Sequence, residues 1–430
     1  MYEIDNKLLE LERQGTPVRC GLIGTGQMGT EIVIQAGMMR GFEVDVAVDL
    51  HCDTVERAYR QGGYTGDIVR TDSPEEARLA IARGAKVATT NSMLPMQTGP
   101  IQAVVDATGS PEMGARVALE CFHHKKHIVM MNVECDVTVG PILHRMARQA
   151  GVVYSLTAGD EPGSIVEVYR FVNALGYRVL AVGKGKNNPL DHYATPGDAA
   201  WKRKAEERNM SPRMLIEFVD GSKTMVEMCA VSNATGLRPD VRGMHGPQCT
   251  VAQLPRVMCK KEDGGILTQE GVVEFAIGDI NPGVFVIFTT DNPRMREALV
   301  QRDMGSGPNY LLMRPYHLCS IETPLTAAQA VLYGESTAHP MDRMTSECIT
   351  IAKQDLRKGQ VLDNIGEYCY RASIELAEVA RAENMLPVGL AKGAVLNCDV
   401  PRDTVITYDM VTPNDTSVLL QLRRIQDQTM

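Results

Sequence analysis

Apolar and polar positions over the first 156 residues follow two alternating periods. Unbroken apolar runs at Val18–Ile23, Phe42–Val48, Ala85–Thr89, Ala103–Asp106, His127–Met131 and Val152–Leu156 read as strands. Between them lie stretches with helical spacing, among them Pro111–Phe122, with Pro in its first turn, and Gly140–Ala150. This alternation predicts a parallel, doubly wound sheet of the α/β class over residues 1–156. From 157 to 345 the pattern shifts to longer helices and antiparallel-looking strands. These include Gly271–Ile277 and Val284–Thr290, joined by the turn Gly278–Gly283, so an inserted α+β substrate domain is expected. Thr323–Tyr333 is apolar at helical spacing and should pack back on the first domain. The remaining 346–430 predicts a small β-rich domain, with short strands and turns near Lys353–Leu362 and a helix over Ser373–Glu383.

The first run ends in Gly24-Thr25-Gly26-Gln27-Met28-Gly29. Glycine triplets arise by chance in a chain with 38 Gly, but this one sits between a strand and a helix, as in a Rossmann dinucleotide site. Gly24 permits the tight turn, Gly26 lets backbone approach a diphosphate, and Gly29 lets helix and strand pack closely. The phosphates would meet the helix N-terminus, whose N–H groups and dipole favour anions. The second run ends in Asp49, about 20 residues on, where a carboxylate accepts ribose hydroxyls. An Asp repels a 2′-phosphate, and Leu50 and His51 rather than Arg follow it, so NAD is favoured over NADP. Arg57 and Arg60 could swing toward a phosphate, although solvated helix charges are the plainer reading.

Composition narrows the class. A formal charge of −9 argues against general nucleic-acid binding, and the cluster His123–His127 falls where cations complement a helix C-terminus. There is neither a membrane-length apolar stretch nor a signal-peptide pattern, so a cytoplasmic protein is expected. Eleven cysteines without CxxC pairs are expected to be reduced thiols. The expected partners are a small-molecule substrate and further copies of the chain in a homo-oligomer.

Ligands in doubly wound sheets bind beyond the carboxyl ends of the strands. Candidates at those ends are Thr108 and Gly109 on the nicotinamide-ribose side, Asn132 for cofactor and Glu134 for catalysis. Asp136 reads equally as an oxygen ligand or as the cap of the helix beyond Gly140. Asp160 and Glu161 are the candidate metal ligands, with one carboxylate expected in the cleft and the other in solvent or capping a helix. Lys184 and Lys186, within Gly183–Asn188, form a mobile cationic pair suited to a phosphate, a carboxylate or a developing alkoxide. Asp220 and Lys223 open a helical segment and could supply a general acid with its orienting carboxylate; a helix cap and an exposed lysine are the alternative. His245 and His317 receive no role.

The segments "KKHIVMMNVECDVTVGPIL" (Lys125–Leu143), "GVVYSLTAGDEPGS" (Gly151–Ser164), "GKGKN" (Gly183–Asn187) and "DGSK" (Asp220–Lys223) resemble the homoserine-dehydrogenase-like oxidoreductases. "AKQDLRKGQVL" (Ala352–Leu362), "LPVGLAKGAVLNCDV" (Leu386–Val400) and "DTVITYDMV" (Asp403–Val411) resemble a C-terminal SAF domain. Val133 stands where homoserine dehydrogenases carry a lysine after the asparagine, which argues against homoserine as substrate. The resemblance extends to the 1-deoxy-D-xylulose 5-phosphate reductoisomerase-like subgroup. It implies a nicotinamide cofactor, a divalent metal at acidic residues, Lys184 and Lys186 on a phosphate, and Lys223 in proton handling. The expectation is an NAD(P)-dependent oxidoreductase, with reductoisomerase chemistry as one form, acting on a small polyhydroxylated carbonyl compound such as a phosphosugar or sugar acid. Homoserine dehydrogenase and a non-catalytic nucleotide sensor are the alternatives.

Overall fold

Strands form where the apolar runs predict them, because each run is short, rich in branched residues and bounded by turn formers. In the computed structural model, which describes residues 3–186, 190–208 and 210–430, these strands are β1 (Val18–Ile23), β2 (Phe42–Val48), β4 (Lys86–Thr89), β5 (Ala103–Asp106), β6 (His127–Met130) and β7 (Tyr154–Leu156), and a short β3 (Ile68–Arg70), which no apolar run marked, joins them. Asn187 and Asn188 of the lysine motif lie outside the described residues. The strands make one seven-stranded sheet, ordered β3-β4-β2-β1-β5-β6-β7, in which every neighbouring pair is parallel. The chain leaves β1 toward β2 on one side and β5 lies on the other, so β1 and β5 flank the switch point where such sheets bind ligands.

This sheet belongs to the first of two compact units, comprising the chain up to Gly163, Leu318–Asp342 and Gln421–Met430. Its core contains Cys20, Leu22, Val44 and Val105 from the strands and Ala327 and Ala328 from the helix Cys319–Tyr333. An N-terminal helix, Ile4–Gln14, which the sequence pattern did not suggest, adds Leu8 to the same core.

The helix expected over 140–150 begins at Val133 and runs to Ala150. Gly140-Pro141 punctuates the sequence but not the structure. A proline removes one helical hydrogen bond and crowds the preceding turn, and the gap is filled by side chains from the chain's last helical turns. Ile142 N–H donates to Gln426 Oε1 at 3.1 Å. The Thr138 carbonyl accepts from Gln426 Nε2 and from Arg423, each at 3.3 Å. One amide thus satisfies both backbone groups that Pro141 separates.

The second unit comprises Ser164–His317 and Arg343–Leu420. Its sheet is built from β8 (Arg178–Lys186), β9 (Arg238–Pro239), β10 (Val272–Ile277), β11 (Val284–Thr289) and β12 (Asn309–Arg314), ordered β12-β11-β8-β10-β9. Although a short turn joins β10 and β11, they are not hairpin partners. β8 lies between them, parallel to β10 and antiparallel to β11. Leu180, Ala181, Ala276, Phe285 and Ile287 form the core of this sheet. The C-terminal part is β-rich, with β13 (Ser346–Ala352) antiparallel to β14 (Tyr370–Leu376) and β15 (Val395–Leu396) antiparallel to β16 (Val411–Thr412). The helix expected over 373–383 is confined to Ala377–Ala382, because Ser373–Leu376 are drawn into full register with β13. The whole is an α/β fold with a separate mixed sheet and a small β-rich part.

Candidate active site

The glycine turn sits at the end of β1. Gly24 adopts φ +93°, and a Cβ there would lie 2.7 Å from the Ala107 carbonyl oxygen. A Cβ on Gly29 would come within 1.9 Å of the Gly24 carbonyl oxygen, so the helix Gln27–Met38 packs on the turn only without a side chain there. Gly26 is different: a Cβ there would meet nothing within 4 Å. It is the N-cap of the helix Gln27–Met38, and no side chain caps that end, which is of the kind that favours an anion. Thr25 is buried. Its hydroxyl donates to the Val48 carbonyl at 3.0 Å, and its N–H donates to Asp49 Oδ2 at 2.9 Å. The turn therefore fixes Asp49 at the end of β2. Arg60 is committed elsewhere, donating to the Tyr64 and Gly66 carbonyls at 2.9 Å each.

Across the switch point, Ala107 N–H donates to the Ile23 carbonyl at 2.8 Å, and Gly109 takes φ +62°. Thr108 N–H donates to Asp106 Oδ1 at 3.1 Å. Asn132 is buried and serves as a helix cap, accepting from Cys135 N–H at 3.2 Å while its amide donates to Asp106 Oδ2 at 3.4 Å. Asp106 is fully buried, and burial pushes its carboxyl up to about 6. Glu134 and Asp136 stand in the first turn of the helix Val133–Ala150, not in a loop before it. Asp136 is thus neither cap nor exposed ligand. It is fully buried, accepts the Tyr154 hydroxyl at 2.8 Å on Oδ1 and leaves Oδ2 without a partner. Burial raises it to about 7. Asp160 and Glu161, beyond β7, are both buried, so neither is the solvent-facing residue expected of one of them. Two adjacent carboxylates are a donor set that suits a hard divalent cation.

In the second unit, Lys184 and Lys186 are not a mobile surface pair. Both are buried in β8, two residues apart and therefore on one face. Lys184 forms an ion pair with Glu227 from the helix Ser222–Thr235. Lys186 donates to the Phe218 carbonyl, and burial together with Lys184 pulls its ammonium down to about 8. Asp220 is also buried. It accepts Ser222 N–H at 2.8 Å and pairs with Lys353 at 2.6 Å. Burial raises the Asp220 carboxyl while Lys353 opposes the rise. Lys353 further donates to the Ala194 and Glu367 carbonyls at 3.0 Å each. Asp220 thus shares its carboxylate with Lys353, and Lys223 occupies the first turn of the helix Ser222–Thr235, half-buried.

Glu227, Lys353 and Asp106 are the polar residues that sequence reasoning passed over. Glu227 had a visible signal, a lone carboxylate among Met225, Val226, Met228 and Cys229, where a charge needs a partner. Lys353 had none, because its partner lies 133 residues away in sequence (353 − 220).

Residues 159–323 match the family model "Oxidoreductase DRL, catalytic domain". No curated protein sequence matches. Among solved structures, a 3-ketoreductase from Actinomadura kijaniata, in complex with NADP and TDP-benzene, is similar at 13% identity and a TM-score of 0.38, covering 74% of this chain and 91% of that one. A scyllo-inositol dehydrogenase from Lactobacillus casei, with bound NAD(H) and scyllo-inositol, is similar at 11% identity and a TM-score of 0.39, covering 69% and 76%. These likenesses are too distant to transfer a ligand. The catalytic-domain match, joined in one chain to the Gly24–Gly29 turn and Asp49, makes this protein an NAD(P)-dependent oxidoreductase.

Proposed function

We propose that the protein transfers hydride between a nicotinamide dinucleotide, NAD in preference to NADP, and a small polyhydroxylated carbonyl compound of the sugar-acid or phosphosugar type. The observation that carries this reading is the open approach at Gly26 beneath an uncapped helix N-terminus, in a chain whose residues 159–323 match an oxidoreductase catalytic domain. When bound, the nicotinamide supplies or accepts the hydride. Backbone of Gly24–Gly29 holds the diphosphate, Asp49 accepts the ribose hydroxyls, and Thr108 and Gly109 border the nicotinamide side. Lys223 moves the proton to or from the substrate oxygen. Lys184, held in place by its ion pair with Glu227, lies on the same face of β8 as Lys186, where the two can meet an anionic or developing-alkoxide oxygen of the substrate.

A coupled rearrangement is a second reading, favoured by the adjacent buried carboxylates Asp160 and Glu161, which would hold a divalent cation. One assay tests both readings. Purified protein is incubated with NADH or NADPH and with sugar acids, phosphosugars or homoserine, with Mg²⁺ or chelator, and absorbance is followed at the nicotinamide band. Substrate-dependent oxidation of NADH is expected, with Lys223→Ala abolishing turnover and leaving cofactor affinity nearly unchanged. Cofactor binding without turnover of any candidate would favour a nucleotide sensor. Full turnover by Lys223→Ala would remove that lysine from the mechanism, and tighter NADPH binding would overturn the role of Asp49. Chelator-insensitive turnover would remove the metal.

A further inference from the structure

The amino end of the first unit's sheet, opposite the glycine turn, holds a cavity of about 470 Å³. That volume falls within the roughly 300–1,000 Å³ that small-molecule sites occupy. Its walls come from the starts of β1, β2 and β4, through Arg19, Glu43 and Lys86, and from the ends of four helices. The six residues of β1, at about 3.3 Å each, run from this cavity to Gly24, so a molecule held here lies well clear of the dinucleotide turn.

Side-chain charge in the cavity cancels. Arg19 and Lys86 pair with Asp45 at 2.6 and 2.8 Å, and Lys86 also pairs with Glu43 at 2.7 Å. The Asp45 side chain is 2% exposed, so both cations are held by a buried acid. The more exposed Arg40 and Glu12 stand 3.8 Å apart. Three basic groups thus face three acidic ones.

The helix dipoles do not cancel. Gly15 caps the C-terminus of the helix Ile4–Gln14, Met39 that of Gln27–Met38 and Gly62 that of Cys52–Gln61, while Gly84 follows the C-cap Arg83 of Pro74–Ala82. All four of these residues line the cavity. A helix C-terminus acts as roughly half a negative charge and favours a cation. The basic residues of those last turns are Arg13 and Arg60, and neither lines the cavity.

Two tyrosines add to this preference. The Tyr64 ring attracts cations, with Lys86 Nζ already 5.7 Å from its centre. Tyr59, its ring 6.2 Å from that of Tyr64, is buried, and its hydroxyl has no partner among the described residues. At Gly15, Gly63 and Gly84 a Cβ would meet nothing within 4 Å, so the backbone there can be approached closely.

We propose that this cavity binds a small organic cation, an ammonium or guanidinium group on a hydrocarbon chain, at a site separate from that of the dinucleotide. The cationic head meets the helix ends and Glu43, whose side chain is 43% exposed, and the hydrocarbon lies against Val33, Ala36 and Met39. An anion would find Arg19 and Lys86 already neutralised and four negative helix ends around it.

The test is calorimetric titration of n-hexylammonium into the full chain, with and without NADH, beside hexanoate as an anion of similar size. Hexylammonium is expected to bind more tightly than hexanoate, and equally well in both conditions. Glu43→Gln should weaken it about fivefold. Arg40→Gln, at a side chain 72% exposed, should tighten it by releasing Glu12, a gain that damage to the fold would not produce. No binding of hexylammonium, hexanoate binding as tightly, the absence of either variant effect, or competitive displacement by NADH overturns the site.

Discussion

Single residues decide how this protein responds to pH. Asp136 looked from sequence like an oxygen ligand or a cap, because nothing in the run Asn132–Asp136 reveals depth. The structure buries it completely with one partner, Tyr154. Its carboxyl, ordinarily near 3.8, rises to about 7. A raised acid is protonated in the folded state and ionised in the unfolded one across that window. Stability from this group is therefore present below the ordinary value and falls as pH climbs toward 7, by at most about 1.4 kcal/mol per pH unit. Asp106, raised to about 6 for the same reason, adds a decline of the same sign. Asp136→Asn keeps an acceptor for Tyr154 and removes the charge. Its melting temperature should match wild type near pH 4 and exceed it near pH 8, as thermal melts across that range would record. Parallel profiles would mean that the Asp136 carboxyl is compensated.

At the scale of elements, the strand–turn–helix around Gly24–Gly29 was the most legible part of the chain. Each glycine there answers to a local steric rule, so spacing alone assigns its task. The structure separates the tasks. Gly29→Ala would place a methyl 1.9 Å from the Gly24 carbonyl oxygen and should lower the melting temperature. Gly26→Ala meets no protein atom within 4 Å and should leave the melt unchanged. It should nevertheless weaken NADH binding by about tenfold, because the methyl occupies the diphosphate's approach. Fluorescence titration of NADH beside thermal melts of both variants would show whether the two effects part in this way. Other elements were less legible. β10 and β11 looked like a hairpin because only a short turn separates them, yet β8 intervenes, and strand order is a property of the sheet. The helix Val133–Ala150 was read short because a proline stops a helix unless something repairs it. The repair comes from Gln426 and Arg423, at the far end of the chain.

For the molecule as a whole, the consequential contact is Lys353 with Asp220. Their side chains are 1% and 0% exposed, and the pair joins the C-terminal segment to the turn before the helix Ser222–Thr235 within one unit. Removing one member of a buried pair leaves the other charged and unpaired, at a cost of about 3–5 kcal/mol. Lys353→Met should therefore destabilise the protein by roughly that amount in denaturant titration, and adding Asp220→Asn should recover part of the loss. A single variant as stable as wild type would show that Asp220 releases its charge instead.

The sequence by itself determined the α/β alternation, the glycine turn Gly24–Gly29 with Asp49 beside it, and the residue types available for chemistry. Period, spacing and glycine geometry act over a few residues, and they leave their mark on the chain directly. Only the tertiary structure decided which polar groups meet: Lys184 with Glu227, Asp220 with Lys353, Asp136 with Tyr154. A buried charge is tolerable only beside its partner, and partners are chosen by folding distance, which the order of residues does not record.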